Sequence, residues 1–171
     1  MSPCVVLVGV PGSGKTTVGT LLAERLAVAF RDTDADIEAA QGVPVTDIFV
    51  DSGEAFFRDL ERDAVATALR EHDGVLALGG GAVLDAGTRG LLVKQPTVWL
   101  QVGASSGAHR VGLDVPRPVL LGNVRGRLLT LLAERAPLYA EVARATVDTE
   151  GRTPEDVAAR VLHELNLEPS A

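Results

Sequence analysis

Residues 9–16 form a glycine-rich segment whose residue types and spacing suit phosphate chemistry. The segment reads GVPGSGKT and matches the pattern G-x-x-x-x-G-K-[ST] at every fixed position. In such a loop the backbone N–H groups form a nest for phosphate oxygens, and the next helix adds its positive dipole end. Lys15 can reach the β- and γ-phosphates, and the Thr16 hydroxyl can ligate Mg²⁺. We therefore predict a nucleoside triphosphate site; the alternative is a glycine-rich strand–helix turn.

Two carboxylates, Asp32 and Asp34, directly follow a short segment with strand character. In an open α/β sheet, ligands bind at the carboxyl ends of the strands, so both should face the same crevice as residues 9–16. Asp32 is placed to hold Mg²⁺ directly or through water, since Mg²⁺ takes few protein carboxylates. Asp34 could accept a hydrogen bond from an acceptor hydroxyl. The alternative is that Asp32 or Thr33 only caps the next helix.

Arg58 and Glu61 lie three residues apart on a predicted helix and therefore share one face. The glutamate could fix the guanidinium for bidentate recognition of a carboxylate. The pair could equally be a solvated surface ion pair, and the spacing does not decide between the two. Further along the chain, Gly79, Gly80 and Gly81 follow an apolar segment and would allow a ligand to approach the backbone closely.

Arginines are concentrated in one part of an acidic chain. Residues 112–126 are rich in proline and glycine and lack helical periodicity, which predicts a functional lid. Arg117, on this lid, could neutralise charge on a transferring phosphoryl group. Pro137 is expected to break or kink the helix that carries Arg135 and to aim that arginine inward. Any one arginine alone could be a surface residue; the group is Arg110, Arg117, Arg125, Arg127 and Arg135.

These candidates are positioned by short apolar segments that alternate with longer helical patterns. The alternation predicts a parallel sheet covered by helices on both faces, with right-handed crossovers. Strands are predicted over residues 4–8, 28–32, 75–78, 97–102 and 145–148. Helices are predicted over residues 15–26, 34–41, 45–49, 53–71, 85–93, 105–110, 125–143 and 154–166.

Length and charge exclude several classes of protein. The chain has 171 residues, which suits one domain over residues 1–171. Its net charge of −7 argues against nucleic-acid binding but allows a local arginine pocket for an anionic ligand. Cys4 is the single cysteine and is expected to be buried in the first strand. The N-terminal apolar run is too short for a signal peptide or a membrane span, which predicts a cytoplasmic protein without membrane attachment.

Six segments, taken together and in this order, resemble the shikimate kinase family over nearly the whole chain. They are GVPGSGKTTVG at 9–19, DTD at 32–34, FRDLE at 57–61, VLALGGGAV at 75–83, RP at 117–118 and ERAPLY at 134–139. The resemblance implies ATP-dependent phosphorylation of the 3-hydroxyl of shikimate, on the pathway to chorismate and aromatic amino acids. It implies a three-layer P-loop kinase fold with a five-stranded parallel sheet, similar to nucleoside monophosphate kinases. A shikimate-binding subdomain at about 33–61 and a lid at about 112–126 are implied as well.

The resemblance also implies a role for each candidate residue. Lys15, Asp34 and Arg117 would be catalytic, and Thr16 and Asp32 would bind Mg²⁺. Arg58 and Arg135 would hold the shikimate carboxylate. Contacts with ATP would come from Gly12, Ser13, Gly14, Lys15, Thr16, Thr17, Arg110, Arg117 and Arg152. Contacts with shikimate would come from Asp34, Phe49, Phe57, Arg58, Glu61, Gly79, Gly80, Gly81 and Arg135. The implied partners are shikimate and ATP only, bound by a monomer.

Two features depart from the family, and two other functions are open. Residues 119–121 read Val-Leu-Leu after Arg117-Pro118, where the family usually continues with Leu-Leu directly, and residues 122–124 look shortened. One alternative function is another small-metabolite kinase, such as gluconate kinase, which would phosphorylate gluconate instead of shikimate. The other is a nucleotide-binding protein without catalysis, which would have a damaged Lys15, Asp34 or Arg117.

Overall fold

Five parallel strands form the centre of the structure, a computed structural model that describes residues 2–102 and 124–171. The strands are β1 (Val5–Val8), β2 (Phe30–Asp32), β3 (Val75–Ala77), β4 (Thr97–Gln101) and β5 (Ala145–Asp148). Their order in the sheet is β2-β3-β1-β4-β5. All pairings are parallel, which confirms the predicted α/β fold with a five-stranded sheet.

Helices cover both faces of this sheet. They are α1 (Lys15–Leu26), α2 (Thr33–Gln41), α3 (Val45–Ser52), α4 (Glu54–Glu71), α5 (Ala86–Leu92), α6 (Val124–Val142) and α7 (Pro154–Glu164). A 3₁₀ turn over Ala82–Leu84 precedes α5. Within the described ranges, no helix is long and apolar enough to cross a bilayer.

The alternation of side chains along β1 divides the core into two halves. Val6 and Val8 pack on one face of the sheet, in a cluster that includes side chains from α4, α5 and α6. Val5 and Leu7 point to the other face and pack with α1 and α7. Because successive strand residues face opposite sides, a strand buried on both faces must be apolar throughout, as β1 is.

A third, smaller apolar cluster lies outside the main core. Ile37, Val45, Ile48 and Phe57 join α2, α3 and α4 to one another. These helices make up the region between β2 and β3, which includes the predicted subdomain at 33–61. This local core packs the three helices against one another, so that their positions beside the sheet are coupled.

Several predicted boundaries were wrong. β2 starts at Phe30 and not at residue 28, since α1 ends in the left-handed Ala27 and Val28 lies exposed beyond it. α3 runs to Ser52, where Gly53 ends it, instead of stopping at residue 49. Cys4 precedes β1 and is only half-buried. The other boundaries differ by one or two residues, as is usual at frayed ends.

Pro137 does not break α6. The helix continues from Val124 to Val142 with the proline inside it. A proline in a helix removes one backbone donor and crowds the preceding turn. Here Leu131, Tyr139 and Val142 lie in the core on either side of Pro137, and their packing keeps the two halves in one helix. The predicted helix at 105–110 and residues 112–123 of the predicted lid lie outside the described residues.

Candidate active site

The loop between β1 and α1 has the backbone geometry of a phosphate nest. Gly12 and Gly14 have φ values of 84° and 92°, a region that L-residues with a Cβ rarely adopt. Gly14 caps α1, so the first N–H groups of the helix face out of the loop beside those of the nest. Ser13 is buried, whereas Thr16 and Thr17 are exposed on the first turn of α1.

The Lys15 ammonium group lies over the same loop. Its Nζ donates to the carbonyl oxygens of Gly9 at 2.7 Å and Val10 at 3.0 Å, and to Ser13 Oγ at 3.4 Å. A flexible four-carbon stem allows the ammonium to exchange such acceptors for the oxygens of a bound anion. The lysine is therefore held at the loop by contacts with backbone and side-chain oxygens.

Asp32 caps the helix that follows it, as the alternative interpretation of its position predicted. Its Oδ1 accepts from the backbone N–H of Asp34 at 2.8 Å and of Ala35 at 3.4 Å, which caps α2. Its Oδ2 accepts from the Thr16 hydroxyl at 3.4 Å. Burial, and then the nearby charge of Asp34, raise the pKa of Asp32. One carboxylate oxygen thus caps α2, and the other faces the glycine-rich loop at residues 9–16, which we call the P-loop.

The Arg58–Glu61 pair faces inward, so its interpretation as a solvated surface ion pair was wrong. Arg58 Nη1 donates to Glu61 Oε1 at 2.6 Å, and the Glu61 side chain is only 4% exposed. The guanidinium carbon lies 5.3 Å from the ring centre of Phe57 and 5.7 Å from that of Phe49. The two rings are themselves 4.7 Å apart and form an apolar wall beside the charge.

Burial and charge oppose each other at Glu61. Burial raises the pKa of its carboxyl group, while the Arg58 charge and hydrogen bond lower it. The second oxygen, Oε2, is buried without a hydrogen-bond partner among the described residues. A buried carboxylate with one unsatisfied oxygen is costly unless another donor reaches it.

The glycine segment after β3 fits closely against these charged groups. A Cβ on Gly79 would lie 2.6 Å from Asp34 Oδ1 and 2.9 Å from Glu61 Oε2. A Cβ on Gly81 would collide with the Arg58 guanidinium. Glycine at both positions leaves room for the charged side chains on the acceptor side, in agreement with the prediction of close approach.

Arg135 is a second arginine near the glycine segment. It lies on α6, is only 5% exposed, and its Nη1 would be 3.4 Å from a Cβ on Gly80. The expectation that Arg135 points inward is thus confirmed, although Pro137 does not achieve it by ending the helix. Two arginines from separate helices therefore face one small cavity.

This cavity is lined by every residue for which a shikimate contact was predicted. Its lining is Pro11, Asp34, Val45, Phe49, Phe57, Arg58, Glu61, Gly79, Gly80, Gly81 and Arg135. A larger cleft of about 730 Å³ adjoins it and is lined by P-loop residues together with Asp32. Asp34, Gly79, Gly80, Pro11 and Val45 line both spaces. The two arginines could bind the carboxylate of an acceptor beside the cleft that would hold a phosphate donor, and Asp34 lines both spaces.

Some predicted residues do not contribute to this geometry. Arg152 is exposed after β5 and lines neither space. Arg110 and Arg117 lie outside the described residues, so their predicted roles stay predictions. Sequence reasoning missed Glu54, whose Oε1 accepts from Arg58 Nη2 at 3.3 Å; its spacing of four from Arg58 was the available signal. It also assigned no role to Tyr139.

Comparison with known proteins agrees with this geometry. A model of the shikimate kinase family matches residues 11–166. The chain belongs to the shikimate kinase family. The shikimate kinase of Frankia casuarinae is 61% identical over 153 residues, which cover 90% of this chain and 68% of the relative. That of Saccharopolyspora erythraea is 52% identical over 172 residues, which cover 100% of this chain and 98% of the relative.

A solved structure in the family also matches. The shikimate kinase of Acinetobacter baumannii in complex with shikimate is 36% identical, with a TM-score of 0.90, and the match covers 95% of this chain and 92% of that one. Members of the family are ATP-dependent kinases that phosphorylate shikimate. The family match decides between the two kinase hypotheses in favour of shikimate kinase over gluconate kinase.

Proposed function

We propose that this chain transfers the γ-phosphate of ATP to the 3-hydroxyl of shikimate, giving shikimate 3-phosphate and ADP for the synthesis of chorismate and aromatic amino acids. The proposal rests on the adjoining cleft and cavity, both of which are lined by Asp34. One is bounded by the P-loop and the other by two inward-facing arginines. A donor phosphate and an acceptor hydroxyl would meet at the boundary.

The acceptor cavity suits a small hydroxylated carboxylic acid. Arg58 and Arg135 provide two cations for one carboxylate, and Glu61 orients the first of them through its 2.6 Å hydrogen bond. Phe49 and Phe57 pack against the apolar face of the ring. Asp34 and the free oxygen of Glu61 supply acceptors for ring hydroxyls.

The transfer itself depends on positioning and charge neutralisation more than on covalent chemistry. The acceptor oxygen attacks the γ-phosphorus, the bond to the β,γ-bridging oxygen breaks, and ADP leaves with that electron pair. The hydroxyl proton passes to the Asp34 carboxylate. Lys15 and Arg117 neutralise the charge on the phosphoryl group, and Gly12, Ser13, Gly14, Thr16 and Thr17 hold the phosphates. Arg110 and Arg152 contact the adenosine end.

The residues beside the P-loop fit a magnesium ion. Thr16 Oγ1 and Asp32 Oδ2 lie 3.4 Å apart at the cleft. Mg²⁺ needs only one or two protein oxygens when phosphates and waters complete its shell. When bound, the ion would neutralise charge on the β- and γ-phosphates.

The partners would be small molecules only. The net charge of −7 disfavours nucleic acid. We propose that the protein acts as a monomer in the cytoplasm. Light scattering of the purified protein would measure the monomeric mass.

A coupled assay of ADP release tests the function. With Mg²⁺ and ATP, we expect release that depends on shikimate and is absent with gluconate. Release with gluconate alone would overturn the proposal. Separate titrations with ATP and with shikimate address the non-catalytic alternative, since binding of both ligands without turnover would favour it.

A further inference from the structure

The Tyr139 hydroxyl makes a buried contact that the proposed reaction does not use. Tyr139 is completely buried in α6, and its Oη donates to the carbonyl oxygen of Gly80 at 2.6 Å. This bond joins residues that are far apart in the chain. It links the helix that carries Arg135 to the glycine segment after β3, which are two of the walls of the acceptor cavity.

Gly80 lies close to two groups of the active site, the P-loop and Arg135. A Cβ there would be 2.9 Å from Pro11 Cδ and 3.3 Å from the Gly9 carbonyl oxygen, both in the P-loop. On the other side it would be 3.4 Å from Arg135 Nη1. A small displacement of the Gly80 peptide would therefore press on the P-loop or change the space available to the Arg135 guanidinium.

Tyr139 has little freedom to move. Its ring lies 5.6 Å from that of Trp99, which is also in the core. Burial raises the pKa of Tyr139 to about 12, while the positive charge of Arg135, one helical turn away, and a side-chain hydrogen bond with Arg135 act in the opposite direction. The hydroxyl thus stays protonated as a donor while it lies within the field of the arginine.

We propose that Tyr139 is a positioning residue for the acceptor: through its hydrogen bond to the Gly80 carbonyl it sets the distance between the glycine segment and Arg135. This inference rests on the proposed function for the identity of the acceptor. Tyr139 touches neither cavity, so it acts on the carboxylate of shikimate only through Gly80 and Arg135. Loss of the bond would loosen the acceptor pocket more than the nucleotide site.

The test compares Tyr139→Phe with Thr97→Val. Each removes one fully buried hydroxyl that donates to a backbone carbonyl, Tyr139 to Gly80 at 2.6 Å and Thr97 to Leu92 at 2.8 Å. Only the first bond borders the active site. We expect Tyr139→Phe to raise the KM for shikimate about 5- to 20-fold, as for a lost buried hydrogen bond, and the KM for ATP by less than about twofold. Thr97→Val should lower Tm to a similar extent and change neither KM.

A second measurement needs no turnover. Trp99 is the single tryptophan and lies against Tyr139, so its fluorescence should change when shikimate binds. The dissociation constant from this titration should rise in Tyr139→Phe by the same factor as KM. Equal KM values for shikimate in Tyr139→Phe and the parent, or equal rises for both substrates, would overturn the positioning role. A parent enzyme that does not turn over shikimate would overturn the proposed function itself.

Discussion

Asp34 is the residue on which the proposed chemistry depends most directly, because it borders both the donor cleft and the acceptor cavity. The substitution Asp34→Asn keeps its size and one acceptor oxygen but removes the proton acceptor. We expect kcat to fall about 10²- to 10⁴-fold, the usual contribution of a general base. The coupled assay measures this loss.

The control for this change lies two residues away on the same helix. Asp36 pairs with Arg31 at 2.7 Å and lines neither space, so Asp36→Asn should leave kcat close to the parent value. A near-normal kcat in Asp34→Asn would contradict the role as base and leave Asp34 as a binding residue.

The raised pKa of Glu61 predicts how the free energy of unfolding depends on pH. Its pKa is raised above the ordinary value of 4.5, chiefly by burial, so the folded state holds the proton to a higher pH than the unfolded state does. The contribution of Glu61 to stability is therefore greatest below pH 4.5 and is lost as pH rises through the folded pKa. In Glu61→Gln this loss is absent. The free energy of unfolding of the variant, relative to the parent, should rise with pH above 4.5.

Urea denaturation at several pH values measures this difference. Glu24→Gln, on the exposed side of α1, makes the same change of charge away from the site and serves as the control. A difference between Glu61→Gln and the parent that is constant with pH would show that the carboxyl group titrates alike in both states.

At the scale of elements, the turn after β3 controls where α4 can place its arginine. Gly81 has an ordinary negative φ, so alanine is compatible with its backbone, but the new methyl group would meet the Arg58 guanidinium. Overpacking costs about 1–3 kcal/mol, and we expect Gly81→Ala to raise the KM for shikimate roughly 5- to 100-fold.

Gly90→Ala is the matched control for Gly81→Ala. A Cβ at position 90, inside α5, meets nothing within 4 Å. Alanine should stabilise that helix by about 0.5–1 kcal/mol and leave both KM values unchanged. Similar kinetics for Gly81→Ala and Gly90→Ala would mean that Arg58 moves aside without cost to binding.

The elements also explain which parts of the site could be predicted. Parallel strands place their carboxyl ends at one edge, so the P-loop, Asp32 and the glycine segment could be assigned to one crevice from local patterns alone. The spacing of Arg58 and Glu61 indicates a shared face but not whether that face is buried. Their burial depends on the packing of α3 and α4 and on Gly81, which no local pattern contains.

Two further residues show the same limit. The local rule for Pro137 predicts a break, yet core contacts on both sides of it preserve α6. The bond from Tyr139 to Gly80 joins two elements that are distant in the chain and has no signature in either segment. Local sequence patterns therefore indicated contacts between neighbours in the chain and the positions of strand ends. They did not indicate contacts between helices and loops that are distant in the chain.

At the scale of the whole molecule, the donor and acceptor sites rest in part on different structural groups. The P-loop is continuous with the main sheet, whereas Arg58 and the phenylalanine wall belong to the smaller cluster of α2, α3 and α4. Each substrate should therefore stabilise the protein by its own binding free energy. This is about 2.7 kcal/mol at a concentration of 100 times Kd.

Removal of Mg²⁺ should separate the stabilisation by ATP from the stabilisation by shikimate. With EDTA present, the rise in Tm caused by ATP should fall sharply, because Thr16 and Asp32 no longer share an ion with the phosphates. The rise caused by shikimate should persist, since the acceptor cavity contains neither residue. Thermal denaturation with each substrate, with and without EDTA, measures both. Equal loss of the two effects would contradict the assignment of the metal to the donor side.

The central place of β1 has a consequence for a chain that is still being synthesised. β1 leads into the P-loop, yet its partners in the sheet are β3 and β4, which are translated much later. Until Gln101 has left the ribosome, this fully apolar strand lacks one of its two neighbours and is a target for chaperones or for aggregation. Nucleotide can therefore protect the nascent polypeptide only late in its synthesis, after the segment that will become the nucleotide site has long been exposed.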